Sequence, residues 1–382
     1  MAFLFYRPVI PAAVTLLAWS GCAGHAVPAT DGANPALQTS SVSASSSRPA
    51  DTRSILKELS KDVVIGSTVD AKNGDEGPRA IYIVPDSQGI LTKGQLLVCN
   101  FEDSAGVPGN GTTIEALNPR PSSAPVRFFQ NNAIEGCDGD AIFHSGTVYG
   151  AGLTSGKIAV ISKKGTLVKT YSGKTVTAPF SDTAATTGQS FSPLYLYAGT
   201  TTSGGILSIS IGSYGNGLAI QVAKGFGVSD DSQGELAPSG LQYDSGLDTL
   251  YIVDGVTNTI VAFSNSSKLL DKDEIIVKPG GKRFECKYPK TTCATLVYSG
   301  SPLDAPMASA LLPNGNLIVA NTQGTANTLV ELTPAGQVLD TEVVDTSSTQ
   351  GVFGLVAGGT KDSNTVLFYT DTNTNTVHEL EP

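Results

Sequence analysis

The chain is poor in the residues that carry most hydrolytic chemistry. It has three histidines in 382 residues. His25 falls in a low-complexity segment, His144 at a turn and His378 on a late strand; none joins a Ser-His-Asp set, and no G-x-S-x-G elbow occurs. Nucleophilic hydrolysis therefore has no support. A basic stripe is also missing: lysines are scattered, and 34 acidic against 24 basic residues give a net charge of -10. Nothing is arranged to meet phosphates, which excludes a nucleic-acid partner. Isolated patterns such as Gly215-Asn216-Gly217 follow no strand-to-helix context and are not phosphate loops. Long apolar runs are lacking too, since the stretch from Pro8 to Trp19 is too short to span a bilayer.

What is present is a recurring meander. Gly240 to Phe263 (GLQYDSGLDTLYIVDGVTNTIVAF) reads as three short strands, with apolar runs rich in Val, Ile, Leu and Tyr separated by Gly, Asp and Asn turns. Counterparts of its middle strand begin at Leu96, Thr147, Leu194, Leu250, Leu317 and Val366, in steps of 51, 47, 56, 67 and 49 residues. Self-similarity at this period, with no helical stretches between, predicts an all-β fold: a six-bladed β-propeller of four-stranded antiparallel blades. Met307 to Asp345 shows a whole blade, with hairpin turns at Pro313-Asn314-Gly315 and Pro334-Ala335-Gly336. The last copy stops at Pro382 one strand short, while Val63 to Val69 (VVIGSTV) has no blade of its own. The expected solution is that this N-terminal strand completes the last blade; the alternative is an open edge protected by a partner.

GLQYDSGLDTLYIVDGVTNTIVAF and SALLPNGNLIVANTQGTANTLVELTPAGQV resemble NHL-type propeller repeats and, more distantly, the gluconolactonase and streptogramin-lyase propellers. The resemblance runs from about Ile81 to Glu381 and is sharp in blades 4, 5 and 6. Blade 3 departs from it, because no clear first strand is visible in TAPFSDTAATTGQSFS. Likeness to gluconolactonases implies a divalent metal at the ring centre, held by carboxylates and an amide. Asp254, Asn321 and Asp371 are similar in type and strand position, but no matching glutamate opens the first blade. Such a metal would polarise a lactone carbonyl while a nearby acid acted as base. A streptogramin-lyase-like mechanism would want a histidine on the loop-rich face, and none is placed there.

Residues 1–22 combine Arg7, an apolar core and a small-residue exit at Ser20-Gly21-Cys22, which reads as an export signal. A cysteine straight after Ser-Gly resembles a bacterial lipobox, with Trp19 where Leu is usual. Lipidation at Cys22 would anchor the protein in a bacterial cell envelope; an ordinary signal cut nearby would leave it secreted. Residues 23–60, largely Ala, Ser, Thr, Pro and Gly at first, read as a flexible tether in which SILKEL forms a helical turn or two. Residues 61–382 are the propeller. Its four cysteines allow three pairings. Cys286–Cys293 would clamp a long, otherwise loose insertion from Ser267 to Ala294, and Cys99–Cys137 would join two places that meet on one rim. Four unrelated thiols are the alternative.

Two sets of loops share one face of a propeller, those between blades and those between second and third strands. The first holds Glu135, Asp138, Asp140, Asp230, Asp231, Glu235 and Asp304; the second holds Asn100, Glu102, Asp103, Asp254, Asn321 and Asp371. Of these, Asn100, Asp138, Asp140, Glu235, Asp254, Asn321 and Asp371 are the candidate ligand or metal residues. Oxygens gathered around an opening suit a hard cation such as calcium. The plainer explanation is that Asp and Asn populate turns because they bond their own backbone. Two functions are thus expected. One is an exported, monomeric binding or scaffolding module for a protein, glycan or small ligand, reaching membranes only through its lipid. The other is a metal-dependent lactonase-like or lyase-like enzyme.

Overall fold

A computed structural model of the chain describes residues 51–185, 194–211, 217–231 and 234–382. Six sheets of at least four strands form the blades. Their innermost strands are Glu76–Ile83, Cys137–Ile142, Pro179–Ala185, Pro238–Asp244, Pro306–Leu311 and Leu355–Gly358. Each packs on the next in chain order, and the sixth returns to the first, which makes a ring. Second strands begin at Leu96, Val148, Leu194, Thr249, Leu317 and Val366, within a residue of the positions the repeat marks. These strands are buried almost throughout because a neighbouring blade covers each face, whereas the outer strand Leu167–Tyr171 is exposed nearly end to end.

The described residues share no single core. Six apolar slabs lie between adjacent blades, such as Leu97, Ile114, Ile142 and Val148 between blades 1 and 2, or Tyr251, Val253, Leu317 and Val319 between blades 4 and 5. A blade cannot bury both faces alone, so each depends on its neighbours for the apolar contacts that stabilise it. The turn at Gly315 has φ +91°, a conformation that Gly alone adopts cheaply.

Blade 6 is a sheet of Leu355–Gly358, Val366–Asp371, Thr376–Glu381 and Lys61–Ser67, the last pairing antiparallel with Thr376–Glu381 from Lys61 opposite Glu381 to Ser67 opposite Thr376. Asp62 on that early strand accepts hydrogen bonds from Tyr369 Oη (2.8 Å) and from His378 Nδ1 (3.0 Å), so His378 works within the blade. SILKEL forms one short 3-10 turn, Leu56–Glu58, whose Ile55, Leu56 and Leu59 sink between blades 5 and 6. Buried Glu331 receives it, accepting from Leu56 N and Ser54 Oγ, both at 2.8 Å.

Beyond the early strand, Asp70 accepts from the Arg127 guanidinium and from Lys72 N (2.6 Å) and Asn73 N (2.9 Å). Burial works against its charge, but these bonds and one from Glu115 outweigh it and hold the carboxyl well below the ordinary range. Glu115, 1 % exposed, is affected in the opposite sense. Burial, then the hydrogen bond to and repulsion from Asp70, push its carboxyl up to about 9. Glu115 is thus the protonated partner and Asp70 the charged one.

Blade 3 contains the strand that its sequence conceals: Pro179–Ala185 pairs with Leu194–Thr200 across a bulge, and Ser181 there has φ +52°. The insertion of blade 4 is not a loose excursion. Its Ile275–Val277 pairs parallel with Ala219–Lys224 of blade 3, and Phe284–Cys286 adds a sixth strand outside it. Both disulfides form, Cys99–Cys137 between blades 1 and 2 and Cys286–Cys293 at the base of the insertion, each with Cα atoms 5.3 Å apart. Their presence fits an oxidising, extracellular environment. Among the described residues, no helix is long and apolar enough to cross a membrane.

Candidate functional site

The inner strands enclose an axial cavity of about 480 Å³. Regular alternation does not decide which side chains reach it. In blades 1 to 5 the pairing of inner and second strand slips near its start, between Pro78 and Ala80, Cys137 and Gly139, Phe180 and Asp182, Ser239 and Gln242, and Pro306 and Ala308. A bulge re-aims the residue it skips. Arg79, Asp138, Ser181 and Met307 are skipped in this way, and all four line the cavity.

One end of the axis is shut. Phe180, Leu236, Ala237, Ala305 and Met307, with Leu153 and Phe353 against them, form an apolar plug at the start of the inner strands. Arg79 lies beside it, its guanidinium 3.9 Å from the Phe101 ring centre and 4.2 Å from that of Phe353, and 3.8 Å from the Asp138 carboxylate. With a charge partner and two aromatic faces, Arg79 is held as an ion pair although it is 2 % exposed. At the other end the lining becomes exposed at Lys93, Gly359 and Thr360, on the connections between inner and second strands of blades 1 and 6. Among the described residues the channel is therefore blind towards the loops on which acids were expected to gather, and opens on the opposite face.

Midway along the axis lies a defined layer. Opposite the fourth residue of each repeat marker stand Ala80, Asp140, Thr183, Ser239, Ala308 and Leu355, one from each blade, and all six line the cavity. Consecutive blades 2, 3 and 4 supply the polar three; blades 5, 6 and 1 supply the apolar three. Asp140 is 3 % exposed and neither of its carboxyl oxygens has a hydrogen-bond partner among the described residues, and the same holds for the Ser239 hydroxyl at 1 % exposure. Burial pushes the Asp140 carboxyl well above the ordinary range and so favours its neutral form, which is both a donor and an acceptor.

The other candidate residues are placed elsewhere. Asp254 spends one carboxylate oxygen on Val256 N and Thr257 N and the other on Gly227 N. Asp371 accepts from Asn373 N and Thr374 Oγ1, while Asn321 joins Asp304 N, the Pro302 carbonyl and Thr328 Oγ1. Asn100 donates to the Thr68 and Asp75 carbonyls. Asp254, Asn321 and Asp371 end second strands and their side chains hold turns, whereas Asn100 lies two residues before the end of its strand and ties down the segment that precedes blade 1. Glu235 lies in a short strand, Gly234–Leu236, and its side chain is outside the described residues, as is Cys22. A cation shared by Asp254, Asn321 and Asp371 does not fit, because their oxygens are already committed. Among the described residues no group of three or more His, Cys, Asp or Glu is placed to hold a metal ion. His144 bonds Asp86 at 2.6 Å at the exposed rim and does not line the channel.

Sequence reasoning found Asp138 and Asp140 but put them on a loop; they belong to the inner strand Cys137–Ile142. Arg79, Thr183 and Ser239 were missed. A signal existed for Arg79, a lone charge inside the strand EGPRAIYI that is otherwise small or apolar after its first residue.

The chain matches no protein-family profile and no curated protein sequence. Similar architecture is found in solved structures. A chain in the crystal structure of a nidogen/laminin complex aligns at TM-score 0.51 and 15% identity, covering 75% of this chain and 87% of that one. A putative gluconolactonase aligns at TM-score 0.51 and 12% identity, covering 84% and 91%. A catalytically inactive virginiamycin B lyase from Staphylococcus aureus, solved with quinupristin, aligns at TM-score 0.49 and 15% identity, covering 84% of each chain. At such identities likeness shows the fold, and on that ground the protein is a six-bladed β-propeller.

Proposed function

We propose that this protein is an exported binding module whose axial channel takes a small organic ligand from the face opposite the apolar plug. The observation that carries the reading is the pair of buried side chains, Asp140 and Ser239, whose polar atoms meet the channel without a protein partner. Desolvating such groups costs about 1–3 kcal/mol each unless something bonds them. A cavity of about 480 Å³ lies within the roughly 300–1,000 Å³ range of small-molecule sites. Fold alone does not choose between binding and catalysis, since this architecture serves both. Among the described residues the channel lining holds no histidine or cysteine, and the Asp254 and Asp371 carboxylates hold turns.

In this reading residues 1–22 direct export, Cys22 carries the lipid and residues 23–50 hold the ring off the membrane, the expected tether being cut back because Ser54 to Leu59 pack into the ring. Mass analysis of the mature N-terminus and the release of a Cys22→Ser variant from the membrane fraction test that part. For the site, a thermal-shift screen of small molecules is run against the wild type and Ala80→Leu, which narrows the channel opposite Ser239. A ligand that binds only the folded state raises Tm. Hits should lose their effect in Ala80→Leu; hits that keep it would refute the channel as the binding site.

A further inference from the structure

We infer that the channel selects an electrically neutral ligand with an amide-like edge and an apolar flank, lying across the arc of Asp140, Thr183 and Ser239. This rests on the reading of the channel as a ligand site. The argument starts from charge. Titratable side chains that line the cavity are Arg79, Asp138, Asp140, Tyr82 and, at the mouth, Lys93. Arg79 is 3.8 Å from Asp138 and sandwiched between Phe101 and Phe353. Lys93 is exposed and 3.9 Å from Asp86. Among the described residues no cation is placed beside Asp140, and burial raises its proton affinity. The buried interior therefore carries no net charge with which to hold an ion.

An anion entering it would meet an Arg79 already balanced by Asp138. A cation would have to strip the proton from Asp140 or remain unpaired. Burying an unpaired charge costs several kcal/mol, whereas one neutral hydrogen bond contributes about 0.5–1.5 kcal/mol. Charge matching thus decides the class, and hydrogen bonding only the orientation.

Orientation follows from the layer. A protonated carboxyl offers one donor and one acceptor, and hydroxyls on the next two blades continue the same polar arc. Across the axis stand Ala80, Ala308 and Leu355. A molecule with N–H and C=O on one edge and hydrocarbon on the other satisfies both halves. Amides and lactams have that form; amines and carboxylates do not.

The test uses three probes of similar size at neutral pH: caprolactam, cyclohexylamine and cyclohexanecarboxylate. Binding is followed by ligand-detected NMR and thermal shift on the wild type, Asp140→Asn and Ser239→Ala. Caprolactam should bind the wild type most tightly. It should bind Asp140→Asn within about threefold, because the amide keeps a donor and an acceptor, and Ser239→Ala about three- to tenfold more weakly. Tighter binding of cyclohexylamine, abolished by Asp140→Asn, would overturn the inference and leave the channel standing as a site. Tighter binding of cyclohexanecarboxylate would do the same. Binding of none of the three at millimolar concentration would overturn the channel reading itself.

Discussion

Replacing Glu115 by Gln should make the fold less sensitive to alkaline pH, and the size of the effect follows from its surroundings. Glu115 faces Asp70, Asp75 and Arg127, and its carboxyl is held up to about 9 by burial and by Asp70. In the unfolded chain the same group titrates near 4.5. Folding therefore takes up a proton between those limits. Since the folded state binds more protons, stability is fully present below the unfolded value and falls as pH rises towards the folded one. A full proton corresponds to about 1.4 kcal/mol per pH unit, so from pH 5.5 to 7.5 Glu115 should cost about 2–3 kcal/mol. For a domain of roughly 330 residues the unfolding entropy is about 0.7 kcal/mol/K, which converts that cost to about 3–4 °C in Tm. Gln keeps a hydrogen-bond donor towards Asp70 and has nothing to titrate. The difference in Tm between Glu115→Gln and wild type should thus grow by about 3–4 °C, in favour of the variant, between pH 5.5 and 7.5. Calorimetry at several pH values on both proteins measures it. Parallel curves would mean that Glu115 is already ionised at the lower pH and would refute the proton-sharing arrangement.

Two further outcomes bear on the axis and the disulfides. Arg79→Ala removes the cation beside the buried Asp138 carboxylate and should cost about 3–5 kcal/mol in urea unfolding. Adding Asp138→Asn should recover more than half of it, and no recovery would show that stacking on Phe101 and Phe353 dominates instead. For the bridges, loop entropy favours Cys99–Cys137, which closes 38 residues, over Cys286–Cys293, which closes 7. Removing each pair by Ala substitution should cost about 4 and about 2 kcal/mol. A reversed order in denaturant titrations would mean that the shorter bridge acts mainly by ordering the insertion.

The blade count was legible because second strands such as TLYIVD and NLIVAN are buried on both faces and must be apolar wherever they recur. Inner strands are less constrained, since one side looks onto a channel. PFSDTAA mixes polar residues with a bulge at Ser181, so neither composition nor alternation marks it as a strand. The same effect hid the site. Asp138 is turned to the axis where the pairing slips between Cys137 and Gly139, and that slip leaves no trace in the order of residues. Asp254, Asn321 and Asp371 were conspicuous for the opposite reason. The repeat returns a short polar residue to the same place: Asp254 and Asp371 bond the backbone of the turn that follows them, and Asn321 bonds the connection entering its blade at Pro302 and Asp304.

The parallel pairing of Ile275–Val277 with Ala219–Lys224 gives the ring an unequal circumference. A segment owned by the fourth sector is woven into the third, so these two cannot be pulled apart without tearing a sheet, while among the described residues no other two sectors share one. Attempts to divide the molecule into complementing halves, or to move its termini, should therefore cut elsewhere. Whatever breathing the ring undergoes will be concentrated away from this stitched seam.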